Sequence, residues 1–192
     1  MKTLTIFGLA ALTAGLLIAG PYNVGSKVEN FTIKDLNGQS VNFSDLKGDV
    51  TVVMFIATQC PISNDYNQRM NELYNEFAGK GVKFVFVNSN VSEPAAEVGE
   101  HAKANSFPFK VYKDPGNQVA DRFGAQVTPE AFVIDKEGTV RYHGYIDDSR
   151  NAANIKVRGL KNALDLILSG QSVANAQTKA FGCTIKREKK AS

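Results

Sequence analysis

The chain has 192 residues, of which 43% are hydrophobic and 21% charged; these globular proportions exclude a disordered, collagen-like or coiled-coil chain. The formal net charge is +3, and Lys186-Arg187-Glu188-Lys189-Lys190 supplies that excess by itself, so charge lends no support to nucleic-acid binding. Two cysteines and two histidines are too few for a disulfide framework or a closed structural zinc site, but enough for one pair of coupled thiols.

Lys2 is followed by an uncharged, largely apolar run from Leu4 to Gly20, and the next charge is Lys27. A basic start and a short apolar stretch have the form of a secretory signal, and the run falls a little short of the roughly 20 residues of a comfortable membrane span. Residues 1–25 are therefore expected to be a signal peptide or an N-terminal anchor through residues 4–20. On either account the domain is exported, periplasmic or otherwise extracytoplasmic, where thiols meet an oxidising compartment. A membrane is expected to be touched only through an uncleaved N-terminus.

Residues 27–171 read as one domain. Phe31 to Phe43 has hairpin form around Asn37-Gly38, a preferred pair for a tight turn with positive φ. Val50 to Ala57 is apolar at nearly every position, as suits a strand buried on both faces. Ile62, Tyr66, Met70, Leu73, Tyr74 and Phe77 fall at helical spacing, which predicts one helix ended by Gly79 or Gly81. Val82 to Asn88 is the next strand, and Ser92 and Pro94 open a helix to about Asn105. Phe107 to Tyr112 reads as extended and Gln118 to Phe123 as a helical turn. Ala131–Asp135 and Thr139–Tyr145 form a second hairpin, and Leu160, Ala163, Leu164 and Ile167 mark a last helix. This order predicts an α/β fold: a mixed central sheet, helices on both faces and an N-terminal β-hairpin. Residues 172–192 are polar and expected as a surface tail, except that they carry Cys183.

The chemistry points to Cys60. It lies in Ala57-Thr58-Gln59-Cys60-Pro61-Ile62-Ser63, where the apolar strand ends and an amphipathic helix begins. Pro61 suits the first helical turn, where its missing N–H costs nothing. Cys60 is then at the helix N-terminus, where backbone N–H groups stabilise a thiolate, the form that attacks disulfides and peroxides. The Ser63 hydroxyl is expected to donate to the sulfur. A small buried cysteine plugging the core is the alternative.

The buried strand followed by Ala-Thr-x-Cys-Pro-x-Ser resembles the thioredoxin-like superfamily. Gly124-Ala-Gln-Val-Thr128-Pro129-Glu-Ala-Phe-Val-Ile-Asp135, with the hairpin beyond it, resembles the second half of the same fold. The branch it resembles is the redoxin, or AhpC/TSA, type, especially exported bacterial peroxiredoxin-like proteins with a tail like Gly182-Cys183-Thr-Ile-Lys186. The resemblance implies a thioredoxin-like fold and a cis Pro129 after Thr128, facing the reactive cysteine and presenting backbone to an extended substrate segment. Two departures stand out. Ser63 occupies the second cysteine of Cys-x-x-Cys. Val53 and Ala57 stand where peroxiredoxins have Pro and Thr, with Thr58 one residue too close to Cys60.

Cys183 can supply what Ser63 lacks, by resolving a sulfenic acid or mixed disulfide on Cys60; a static bridge and an intermolecular bridge remain open. The expected protein is an exported thiol-disulfide oxidoreductase or peroxiredoxin-like protein, with Cys60 as nucleophile and Cys183 as resolving thiol. Thr58, Gln59, Pro61, Ser63, Thr128 and Pro129 would form the environment. No organic cofactor or metal is implied, and the partners would be protein or small-molecule thiols, disulfides or peroxide. The alternative is a non-catalytic module binding a protein segment or Cu(I). His101 reads as a solvated helix-face residue, His143 as a packing or surface residue, and Asp147-Asp148 as a loop acid pair.

Overall fold

The computed structural model describes residues 21–189, so most of the expected leader lies outside the described residues. The order is β1 (Thr32–Lys34), β2 (Ser40–Asn42), β3 (Val50–Phe55), α1 (Pro61–Asp65), α2 (Asn67–Phe77), β4 (Val82–Asn88), α3 (Ala95–Ala104), β5 (Val111–Lys113), α4 (Gln118–Phe123), β6 (Val127–Thr128), β7 (Glu130–Asp135), β8 (Val140–Gly144), α5 (Gly159–Leu168) and β9 (Cys183–Thr184). Seven strands form one mixed sheet in the order β2-β1-β5-β4-β3-β7-β8, while β6 and β9 pair separately.

The Asn37-Gly38 hairpin forms because Asp35 Oδ1 accepts the N–H groups of Asn37 and Gln39 and Gly38 takes φ +84°. At the sheet centre β3 runs parallel to β4 and antiparallel to β7, and it is buried along its length. Its side chains alternate between faces. Val52 and Met54 join Met70, Leu73 and Phe77 of α2 and Leu160 and Leu164 of α5. Val53 and Phe55 join Val119 and Phe123 of α4. Helices therefore cover both faces, and each large apolar side chain so buried contributes roughly 1.5–3 kcal/mol.

Three expectations need correction. The helix predicted through Phe77 is two helices, parted at Tyr66, whose N–H bonds the Ser63 carbonyl three residues back. Tyr66 is 1% exposed, and its single hydroxyl proton is shared between Asp147 and the Ser149 carbonyl, so a tertiary anchor fixes the break. The extended piece at Phe107 becomes strand only at β5, since Pro108 has no N–H for a ladder; Phe107 and Phe109 stack instead, with Phe109 on Phe86. The segment expected as a surface tail is built into the molecule as a strap. His143 of β8 exchanges backbone bonds with Ala176 and Thr178 of the strap, the Ile185 N–H reaches the Gln126 carbonyl, and Ile185 is 3% exposed.

Tyr22 belongs to the same framework. It is buried, meets the Phe123 ring edge-on at 5.1 Å, and its N–H bonds the Arg122 carbonyl. Among the described residues no helix is long and apolar enough to cross a membrane.

Candidate active site

The strand-to-helix junction delivers Cys60. β3 ends at Phe55, the chain turns through Thr58 and Gln59, and Cys60 caps α1 with an extended backbone while Pro61 takes the first helical position. The cysteine is 3% exposed. The Ser63 N–H donates to its sulfur at 3.2 Å. The Ser63 hydroxyl, expected on the sulfur, instead accepts the Ala57 N–H. Ser63 is fully buried there, so its oxygen serves the backbone of the turn that would otherwise lack a partner.

Opposite stands the turn before β7. Thr128–Pro129 is a cis peptide, and the Thr128 carbonyl oxygen lies 3.5 Å from Cys60 Sγ. Thr128 is buried, and its hydroxyl has no hydrogen-bond partner among the described residues. The strap brings Cys183 to the same place. β9 runs antiparallel to β6, with Thr128 opposite Cys183 and Val127 opposite Thr184. Cys60 and Cys183 are joined in a disulfide across 123 positions of sequence, with their Cα atoms 5.8 Å apart. Gly182 makes the approach possible, because a Cβ there would fall on the Thr128 carbonyl.

Of the environment residues, Thr58 is buried, Gln59 and Pro61 are exposed, and Pro129 is buried against the site. The Thr58 hydroxyl donates to Glu97 at 2.9 Å, and the Gln59 amide to the same carboxylate. The hydroxyl is thus committed away from the sulfur.

Two carboxylates that sequence reasoning missed hold this framework. Glu93, 1% exposed, accepts the Thr58 N–H at 2.8 Å, the Gln59 N–H at 3.1 Å, and the amides of Asn88 and Asn90. Burial pushes its carboxyl up, but the Thr58, Asn88, Asn90 and Gln59 donors outweigh burial and the net shift is downward. Lys113 closes the group by donating to Asn88 Oδ1 and to the carbonyls of Asn90 and Glu93. Burial lowers the Lys113 pKa, against the pull of Glu93, Asp114 and Glu97. The available signal was Asn88-Ser89-Asn90 directly after an apolar run, since the carboxyl ends of strands are where open α/β sheets place their sites.

Glu130 is the second. Its Oε2 accepts the N–H groups of Gln126 and Val127, and its Oε1 meets His143 Nε2 at 2.6 Å. His143 also stacks on Phe132, with centroids 4.0 Å apart, which makes it a packing residue as expected. His101 differs from expectation: it is half-buried against Phe107 and within 3.2 Å of the Asn67 amide, and burial lowers its pKa against the pull of Glu93 and Glu97. Asp147, expected in an open loop, is 1% exposed and binds Arg69 through both oxygens at 2.7 and 2.8 Å.

Comparisons with known proteins agree with this fold. The model of the AhpC/TSA family matches residues 24–143. The thiol-disulfide oxidoreductase ResA of Bacillus cereus is 31% identical over 117 residues, covering 61% of this chain and 66% of the relative. The match thus spans slightly less than two thirds of that relative's length. A crystal structure of an uncharacterized conserved protein from Geobacillus kaustophilus is 31% identical, with TM-score 0.82, covering 88% of this chain and 95% of that one. The peroxidoxin BcpB of Mycobacterium tuberculosis, 22% identical with TM-score 0.62 over 78% of this chain and 97% of its own, shares the fold.

Proposed function

The chain belongs to the AhpC/TSA family, and on that premise we propose that it is a thiol-disulfide oxidoreductase that cycles between the Cys60–Cys183 disulfide and two thiols. The observation that carries this is the meeting of both cysteines at the Thr128–Pro129 edge. In the reduced protein the Cys60 thiolate attacks a substrate disulfide. One S–S bond breaks, a Cys60–substrate bond forms, and the substrate's other sulfur leaves as a thiolate. Cys183 then attacks Cys60 Sγ, releasing the substrate thiol and restoring the bridge. Two electrons pass from the protein's dithiol to the substrate, and two partner thiols return them by exchange at the bridge, ending as a disulfide themselves.

The Ser63 N–H supports the Cys60 thiolate before the first of these steps. A disulfide rather than a peroxide substrate is favoured by the Thr58 hydroxyl, which is engaged with Glu97 and offers the sulfur no activating donor. Export is part of the same proposal. It rests on Lys2 and the uncharged run from Leu4 to Gly20, and on a disulfide suited to an oxidising compartment. The buried packing of Tyr22 favours a leader boundary before it.

The test is equilibration of the folded protein in dithiothreitol buffers of graded potential, with alkylation and mass mapping of both cysteines. Reversible, paired appearance of two thiols, together with reduction of a disulfide substrate, is expected. A bridge that opens only when the protein unfolds would identify a static cross-link and overturn the proposal. Cell fractionation tests export separately.

A further inference from the structure

The seat that receives Cys183 is shaped for a stretch of chain. Within the strap, Cys183 and Ile185 lie two residues apart and so share one side of the extended chain, while Thr184 faces the other way and is exposed. Backbone bonds hold the strand without regard to side chain: Cys183 and Thr184 stand opposite Thr128 and Val127, and the Ile185 N–H donates to the Gln126 carbonyl at 2.9 Å. Three side-chain positions are selective. At Gly182 a Cβ would strike the Thr128 carbonyl. At Cys183 the sulfur meets Cys60. At Ile185 the side chain is 3% exposed and joins the apolar cluster containing Phe123 and Ala125. Phe181 adds an edge contact to the Tyr66 ring, with centroids 6.3 Å apart.

From this we infer that the strap is an internal copy of the substrate, and that strap and substrate take turns in one seat. The substrate class is an extended protein segment with a cysteine preceded by glycine and followed, two residues later, by an aliphatic residue. An aromatic residue before the glycine strengthens the fit. The inference rests on the exchange chemistry proposed above and adds to it both selectivity and a gate. Strand addition supplies affinity through the main chain, and alternate side chains supply selectivity. In the disulfide form the seat is filled and covalently closed. Reduction unties Cys183, and an incoming segment displaces the strap from Thr128. The Cys60 thiolate then attacks the substrate sulfur that sits where Cys183 sat. The Cys60–substrate bond forms as the substrate's own S–S bond breaks, and the departing sulfur leaves as a thiolate that takes a proton from solvent. Resolution reverses the displacement: Cys183 attacks Cys60 Sγ, the substrate sulfur leaves, and the strap re-enters the seat.

The experiment uses the reduced full chain carrying Cys183→Ser, in which Cys60 is the one remaining thiol. The probes are a synthetic peptide of residues 180–187, its cysteine held as a mixed disulfide with glutathione, and the same peptide with Gly182→Val or Ile185→Asp. Glutathione disulfide is the reference. The rate of the Cys60–peptide adduct is followed by intact mass. The resident strap competes equally with all three peptides, so rate ratios are unaffected by it. The native peptide is expected to react about tenfold or more faster than either variant, since losing the Ile185 burial alone is worth about a decade. Equal peptide rates, with glutathione disulfide still reacting, would overturn the copied-substrate inference while leaving exchange at Cys60 intact. Failure of every disulfide, glutathione disulfide included, would overturn the exchange proposal and this inference with it.

Discussion

Thr128 faces Cys183 across a two-residue antiparallel ladder, and its carbonyl oxygen stands 3.5 Å from Cys60 Sγ. One residue thus contacts the Cys60 sulfur and stands in register with the second cysteine. The disulfide and the β6–β9 ladder hold the strap at the same place.

Breaking that bond is expected to loosen the whole molecule. The bridge spans 123 positions, and disulfides closing long loops typically contribute about 2–4 kcal/mol. Urea denaturation with and without reductant should show a loss of this size. The Cys60→Ser, Cys183→Ser double variant should show the same loss in both conditions. An unchanged midpoint on reduction would mean that strap packing, not the bridge, carries the stability.

Removal of Cys183 should also trap a reaction intermediate. The Cys183→Ser protein keeps Cys60 but cannot resolve a mixed disulfide from within. Intact mass after exposure to glutathione disulfide should show one stable adduct on Cys183→Ser and only a transient one on the native chain. Equal adduct lifetimes in the two proteins would remove Cys183 from resolution.

Glu93 is expected to set an acid limit on stability. Its folded carboxyl titrates below the ordinary 4.5, so its contribution is fully present above the unfolded value. It is lost as pH falls through the folded value, below about 4.5. Glu93→Gln should therefore flatten the fall of unfolding midpoint with acidification in that window. It should also slow exchange at Cys60 while leaving fold content unchanged, since Glu93 positions the Thr58 and Gln59 N–H groups. A native slope in the variant would assign the acid sensitivity elsewhere.

Arg69 and Asp147 offer a contrast in ion-pair depth. Their side chains are 9% and 2% exposed, whereas those of the Arg150–Asp65 pair are 55% and 39% exposed. Asp147→Ala strands a buried guanidinium and should cost about 3–5 kcal/mol. Arg150→Ala should cost no more than about 1 kcal/mol. Paired chemical denaturation curves decide it, and similar losses for both variants would contradict the burial argument.

Glu130 should govern how firmly the strap sits. Glu130→Ala leaves the Gln126 and Val127 N–H groups and His143 without their acceptor, at a cost of about 1–3 kcal/mol. Because the Ile185 N–H bonds the Gln126 carbonyl, its hydrogen exchange should accelerate more than that of β3 amides. Uniform acceleration across the sheet would indicate a general loss of stability instead.

Much of this molecule is legible in the sequence because its signals are local. The nearly unbroken apolar run of β3, the Asn37-Gly38 turn and the periodic face of α5 each follow from neighbours along the chain, and together they predict the mixed sheet with helices on both faces. Cys60 announces itself in the same way, through a strand end, a following proline and the start of a helix. What tertiary structure alone decided is long-range and polar. Sequence left the two cysteines free to pair or not; the bridge exists because Gly182 lets the strap lie against Thr128 and Ile185 finds an apolar seat. Glu93, Glu130 and Asp147 look like ordinary surface acids in sequence, yet each is buried among donors that the fold assembles: Glu93 meets Thr58 35 positions away, Asp147 meets Arg69 78 positions away, and Glu130 gathers the nearby Gln126 and Val127 N–H groups with His143 of the next strand. Apolar burial leaves a periodic trace along the chain. A buried carboxylate leaves none, because its stability depends on donors that only the completed fold assembles.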